Sequence, residues 1–169
     1  AVTYVDSQDY GPDGQEKTRY QGGASAWAEN MDLMFTFRGI PCIYYGSEIE
    51  FKKDVPIDVG PNAPLDKTGR AYFGDHLEGS VTASDYGKYT ASGTVASTLD
   101  APLSKHLEKL NQIRRAVPAL QKGQYTTDSN YVSGNMAYIR RYTNSSEGVD
   151  SLACVTISGN ATFKGLPNG

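Results

Sequence analysis

The sequence predicts an α/β arrangement that gives way to an all-β segment, and three observations carry that expectation. Two apolar runs bracket one amphipathic helix with short connections. A long stretch without periodicity follows. A second helix then leads into several short strands separated by Ser, Gly and Asn. Residues 1–120 therefore read as βα units with a long loop at 49–100, and residues 121–169 as the start of a separate all-β domain.

Each element has its own reason. Ala1-Val2-Thr3-Tyr4-Val5 is a β-branched apolar run stopped by Asp6-Ser7-Gln8-Asp9. Gly11-Pro12-Asp13-Gly14 and Gly22-Gly23 mark a loop. Trp27, Met31, Met34 and Phe35 recur at helical steps from Ala24, and Arg38-Gly39 supplies the stop. Ile40 to Gly46 is continuously apolar, as a strand covered on both faces should be. Strand, helix, strand with short connections makes the two strands parallel. Asp100 is placed to cap the next helix, Pro102 suits its first turn, and Leu103, Leu107, Leu110, Ile113 and Val117 form its stripe. Pro118 ends it. Strands are expected at Gln124-Tyr125, Asn130 to Val132, Met136 to Arg141, Ser151 to Ser158 and Ala161 to Lys164.

Composition narrows the function classes. The chain has 169 residues, 38% of them hydrophobic and 21% charged, which fits a folded domain and not a disordered or coiled-coil chain. The longest uncharged apolar run, at 40–46, is far short of the roughly 20 residues of a spanning helix. A formal charge of −3 gives no electrostatic reason to expect nucleic acid or an anionic membrane as partner. Two cysteines make no disulfide framework, and no Cys/His pair has zinc spacing. The chain opens in a strand and closes on the turn Leu166-Pro167-Asn168-Gly169, which is expected of a piece cut from a longer protein.

Chemistry is expected where the first strand ends, because parallel strands of α/β folds collect functional residues at their C-terminal ends. Asp6 and Asp9 fall there, and the competing reading is that they only shape a turn. A calcium loop starting at Asp9, with Asp13 and Gly14, fails because Tyr20 stands where the twelfth-position Glu is required. His106 reads as a surface residue and His76 as a candidate to line a site. Cys42 and Cys154 lie in apolar strands, where a thiol is a small buried hydrophobe. No nucleophile elbow, P-loop or dinucleotide fingerprint is present.

The run Gly39-Ile40-Pro41-Cys42-Ile43-Tyr44-Tyr45-Gly46-Ser47-Glu48 resembles the eighth-strand motif of the α-amylase family of glycoside hydrolases. Upstream, Tyr4-Val5-Asp6-Ser7-Gln8-Asp9 resembles the family's seventh-strand motif, Phe-Val-Asp-Asn-His-Asp. Ile113-Arg114-Arg115 and Pro118-Ala119-Leu120 resemble the eighth barrel helix and its exit, and the later strands the start of the family's C-terminal β-sandwich. The resemblance implies the C-terminal part of a (β/α)8 barrel followed by an antiparallel sandwich segment. It implies Asp9 as the transition-state stabiliser, with Gln8 and Ser7 at the substrate-binding His and Asn positions. Glu48 would brace loops. Here the sequence departs from the family motif: an amide at position 8 still donates a hydrogen bond but carries no charge.

The family's nucleophile and general acid come from earlier strands and are absent here, as is the motif that supplies its usual calcium ligand. A barrel needs roughly 250 residues, so this chain accounts for two of eight βα units. The resemblance therefore implies a fragment of a secreted retaining hydrolase of internal α-1,4-glucosidic bonds, inactive without its N-terminal portion. It needs no cofactor within this chain, and any calcium would be held by residues outside it. The alternative is a non-catalytic α-glucan-binding or scaffold protein. Tyr72, Tyr86 and Tyr89 are candidates to stack on sugar rings, and Asn144 and Asn160 fit the glycosylation pattern.

Overall fold

The computed structural model describes residues 1–9, 17–57 and 59–168. Among them the chain is a mixture of helices and small separate sheets. The first sheet joins β1 (Val2–Thr3) to β2 (Ile40–Pro41) in parallel, with Val2 opposite Ile40 and Thr3 opposite Pro41. Both strands are shorter than their apolar runs. The Ile40 amide donates to the Ala1 carbonyl at 3.0 Å and the Cys42 amide to the Thr3 carbonyl at 2.9 Å. Gly39 makes the approach to β2 possible: its φ is +91°, and a Cβ there would meet Thr3 Oγ1 at 2.5 Å and the Ala1 carbonyl at 3.0 Å.

Between the strands runs α1 (Ala24–Thr36), whose Trp27, Met31, Met34 and Phe35 are all buried. They form the main core with Tyr20, Leu103 and Leu110, and Val5, Ile43 and Leu107 close it from the side. Full burial of each such side chain contributes about 1.5–3 kcal/mol, which accounts for a helix that lacks a side-chain cap. The end of α1 is held by arginines instead. Arg114 donates to the carbonyls of Phe35 (2.7 Å) and Gly39 (2.8 Å), and Arg140 to those of Thr36 (2.8 Å) and Phe37. These satisfy carbonyls that a helix end leaves without partners.

The stretch expected as an irregular loop at 49–100 has structure of its own. Short 3₁₀ turns at Leu65–Lys67 and Gly74–Leu77 precede a hairpin of β3 (Ser80–Asp85) and β4 (Lys88–Ser92), and then α2 (Thr94–Asp100). Every residue of β3 is exposed, so no apolar alternation announced it. Asp100 does not cap the next helix. It ends α2 and pairs with Lys105 at 2.6 Å, and Ala101 stands at the cap of α3 (Pro102–Ala116). Leu103 and Leu110 are buried there, while Ile113 is exposed. Pro118 stops α3 and also opens α4 (Pro118–Lys122).

From residue 124 onward the regular elements are strands. β5 (Gln124–Thr126), β7 (Ala137–Asn144) and β8 (Val149–Thr156) form an antiparallel sheet in the order β5-β7-β8, and β6 (Val132–Gly134) pairs with β9 (Ala161–Phe163). Val132, Ala137 and Ile139 make a second core, with Leu152, Ala161 and Phe163 against it. Both cysteines are exposed, contrary to expectation. Cys42 lies beyond a two-residue ladder with no covering layer among the described residues, and Cys154 is on the open face of β8, which has one neighbour strand. No helix among the described residues is long and apolar enough to cross a membrane.

Candidate functional site

The residues after β1 divide into one buried carboxylate and one exposed carboxylate. Asp6 is buried and accepts from the Ser47 hydroxyl at 2.8 and 3.1 Å, with Arg19 Nε 3.7 Å away. Ser47 is brought there by Gly46, whose φ of +83° opens the Ser47–Ile49 turn; a Cβ on Gly46 would sit 2.6 Å from Phe51 Cβ. The Trp27 indole N–H donates to the Ser47 carbonyl at 2.8 Å, which fixes the same turn from α1.

Arg19 is the centre of this buried network. It donates to the carbonyls of Gly69 and Tyr45, both at 3.0 Å, and to the Ser47 hydroxyl at 3.2 Å. Its guanidinium lies 4.4 Å from the centroid of the Tyr44 ring. Burial is the main cause that pushes the Asp6 carboxyl above its usual range, opposed by the Ser47 hydrogen bond and then by Arg19. Burial, with the Tyr45 side chain next, pushes the Tyr44 phenol up, so Tyr44 is a neutral hydrogen-bonding group. Asp6 and Arg19 therefore hold the loops of the site together, with Asp6 engaged by Ser47 and Arg19.

Ser7, Gln8 and Asp9 lie on the outside of this network. The Asp9 amide donates to Ser7 Oγ at 3.1 Å, and the Gln8 side-chain amide reaches Asp9 Oδ2 at 3.4 Å. Arg70, from the segment following β2, donates to Asp9 Oδ1 at 3.0 Å and to the Gln8 carbonyl at 2.9 Å. These residues border a cavity of about 320 Å³ that is also lined by Tyr4, Asp6, Tyr44 and Tyr45. The ends of the two runs singled out in the sequence thus line one concave surface. It offers a carboxylate, an amide, a hydroxyl and aromatic rings, which suits a polyhydroxylated ligand with apolar ring faces.

Other expectations fare differently. His76 is drawn into an aromatic cluster with Phe73 (5.1 Å) and Phe51 (5.2 Å), and it does not line this cavity. His106 is not a bare surface residue; its Nε2 is 2.7 Å from Asp32 Oδ1. Tyr72 is exposed, while Tyr86 and Tyr89 line a different cavity. Asp13 and Gly14, weighed for a calcium loop, lie outside the described residues. No group of three or more His, Cys, Asp or Glu among the described residues is arranged to hold a metal.

Sequence reasoning missed Arg19 and Arg70. Neither sits in a periodic element, and each finds its partner far along the chain: Arg70 lies 61 residues from Asp9 and Arg19 lies 28 from Ser47. The available signal was a charge inside an otherwise polar, Gly-rich loop, which is common and not specific. A scan against protein-family models finds no match for this chain, and neither does a search of the curated proteins.

Proposed function

We propose that the chain is the C-terminal part of an α-amylase-type retaining glycoside hydrolase that cleaves internal α-1,4-glucosidic bonds of starch and related glucans. The observation that carries this reading is the meeting of two separate motifs. Ser7-Gln8-Asp9 and Tyr44-Tyr45 follow the C-terminal ends of a parallel strand pair and line one cavity. In this reading β1 and β2 are neighbouring barrel strands, and the remaining strands, with the nucleophile and acid, belong to an N-terminal portion. The exposed Val2, Tyr4 and Ile40 support it, since a two-stranded parallel sheet is not stable by itself.

Asp9 accepts hydrogen bonds from hydroxyls of the sugar at the cleaved bond and stabilises the positive charge of an oxocarbenium-like transition state. Gln8 donates its amide to the same sugar, and Ser7 fixes the Asp9 main chain. Calcium, if the parent enzyme uses it, is held outside this chain, and the protein works outside the cell. In the complete enzyme Asp9→Asn should lower kcat by about 10³-fold or more with a normal thermal transition. A kcat within about threefold of wild type would remove Asp9 from the catalytic set.

A non-catalytic α-glucan-binding or scaffold protein is the second reading, favoured by Arg70. Its guanidinium engages the Asp9 carboxylate that a hydrolase needs for substrate. A complete protein that binds maltoheptaose without releasing reducing ends would decide for this reading.

A further inference from the structure

Arg70 lies in the segment between β2 and β3, and its main chain is fixed on both sides. Before it, the Gly69 carbonyl accepts from buried Arg19 at 3.0 Å, and the Gly69 amide donates to the Pro56 carbonyl at 2.8 Å. A Cβ on Gly69 would meet Arg19 Cγ at 2.7 Å, so this close approach needs glycine. The Arg70 amide itself donates to the hydroxyl of buried Thr68 at 3.1 Å. After it, the Ala71 carbonyl accepts from the Tyr45 hydroxyl at 3.1 Å. The network that holds Asp6 therefore also holds the main chain from which Arg70 reaches out.

The side chain uses two donors of one guanidinium plane. Nε donates to the Gln8 carbonyl at 2.9 Å, and Nη2 to Asp9 Oδ1 at 3.0 Å. One contact grips the main chain of the turn and the other the carboxylate that the turn carries. Asp9 is 52% exposed and Arg70 35%, and an ion pair this exposed contributes little to stability. Its consequence is geometric. A carboxylate on an exposed turn otherwise exchanges among rotamers. Here Oδ1 is held by Arg70 and the Asp9 amide by Ser7 Oγ at 3.1 Å, while Oδ2 meets the Gln8 side-chain amide at the long distance of 3.4 Å. Asp9 and Gln8 line the cavity of about 320 Å³, and Arg70 is not among its lining residues.

We infer that Arg70 is the positioning residue of Asp9, fixing the carboxylate through Oδ1 and the Gln8 carbonyl in the orientation in which it borders the cavity. As a contribution to catalysis this role rests on the hydrolase reading; as an ordering of the Ser7-Gln8-Asp9 turn it does not. A carboxylate held beforehand needs no reorganisation as positive charge develops on the sugar. A lysine could not replace Arg70, because one ammonium cannot serve both acceptors with the planar fork of a guanidinium.

The test combines kinetics on maltoheptaose with hydrogen exchange read by mass spectrometry, both in the complete protein. Arg70→Ala should lower kcat about tenfold and leave KM within about threefold. Arg70→Lys should behave like Arg70→Ala, and added guanidinium chloride below denaturing concentrations should restore part of the kcat of Arg70→Ala without raising that of wild type. An unchanged or higher kcat would mean that Arg70 obstructs Asp9, and a loss confined to KM that it touches substrate; either overturns the role. Exchange needs no turnover. The amides of residues 7–9 should exchange about tenfold faster in Arg70→Ala, with β7 and β8 unchanged. Unaltered exchange at 7–9 overturns the positioning role even where activity falls. A wild-type protein that releases no reducing ends removes the hydrolase reading, and the exchange result then decides alone. Should Arg70→Ala unfold, Arg70→Gln is measured in its place against the same outcomes.

Discussion

The β1–β2 pair and the β7–β8 pair are both two neighbouring strands, yet they are stabilised in opposite ways. β7 and β8 share eight paired residues across a short turn at 145–148, and Ala137, Tyr138, Ile139 and Arg140 are buried on β7. β1 and β2 share two pairs, with Val2 59% and Ile40 65% exposed. The antiparallel hairpin closes a small loop and carries its own ladder, whereas a parallel pair needs a crossover and neighbours on both sides. What fixes β1 and β2 is not their ladder but the buried polar network beneath it, in which Arg19 joins Asp6, Tyr45, Ser47 and Gly69.

That contrast can be broken at Arg19. Arg19→Met leaves Asp6 and several carbonyls without their cation and should cost about 3–5 kcal/mol in denaturant unfolding. Hydrogen exchange should then rise around Asp6 and Ser47 more than in β7 and β8. A uniform rise across both regions would mean that the network is not local to the first.

The Asp6 carboxyl sharpens the comparison through pH. Its folded value lies above the ordinary 3.8, so the native state binds the proton more tightly than the unfolded chain. The stability that Asp6 contributes is therefore fully present below the unfolded value and is lost as pH rises through the folded one. Measured against Asp6→Asn, wild type should lose relative stability as pH is raised from about 4 toward neutrality. A flat difference, or one of opposite slope, would show that Arg19 and Ser47 outweigh burial.

A smaller effect is expected where the regions meet. Tyr138 OH and Thr36 Oγ1 are 2.7 Å apart, and Tyr138→Phe should cost about 0.5–1.5 kcal/mol in the same unfolding assay. The smallest belongs to the exposed pair of Arg141 with Asp150, 2.9 Å apart. Arg141→Gln should change stability by about 0.2–1 kcal/mol at low salt and by nothing measurable near 1 M. A larger loss would give the β7–β8 ladder an electrostatic dependence like that of the first region.

The comparison also explains what was legible in the sequence. α1 could be read from Trp27, Met31, Met34 and Phe35 because one face meets one core, and all four are buried. The parallel pairing of β1 with β2 followed from the strand–helix–strand order. Strand lengths did not, since an apolar run such as 40–46 records what could be covered and not what is paired. The β3–β4 hairpin was invisible because β3 meets solvent on both faces and β4 is short. Asp9 was named from its place after a strand, but Arg70 was not, because a contact across 61 residues leaves no local pattern. Glu48 was read as a brace; its Oε2 is buried without a hydrogen-bond partner among the described residues.

Arg140 draws a final consequence from the end of α1. It projects from β7, yet its guanidinium is spent on carbonyls of Thr36 and Phe37 and on that of Gly123, while Arg114 in α3 serves Phe35 and Gly39. The last turn of α1 is thus completed only when a helix and a sheet from later in the chain have arrived. Calorimetry should therefore record one heat-absorption peak for the chain, with the late strands and the early helix melting together.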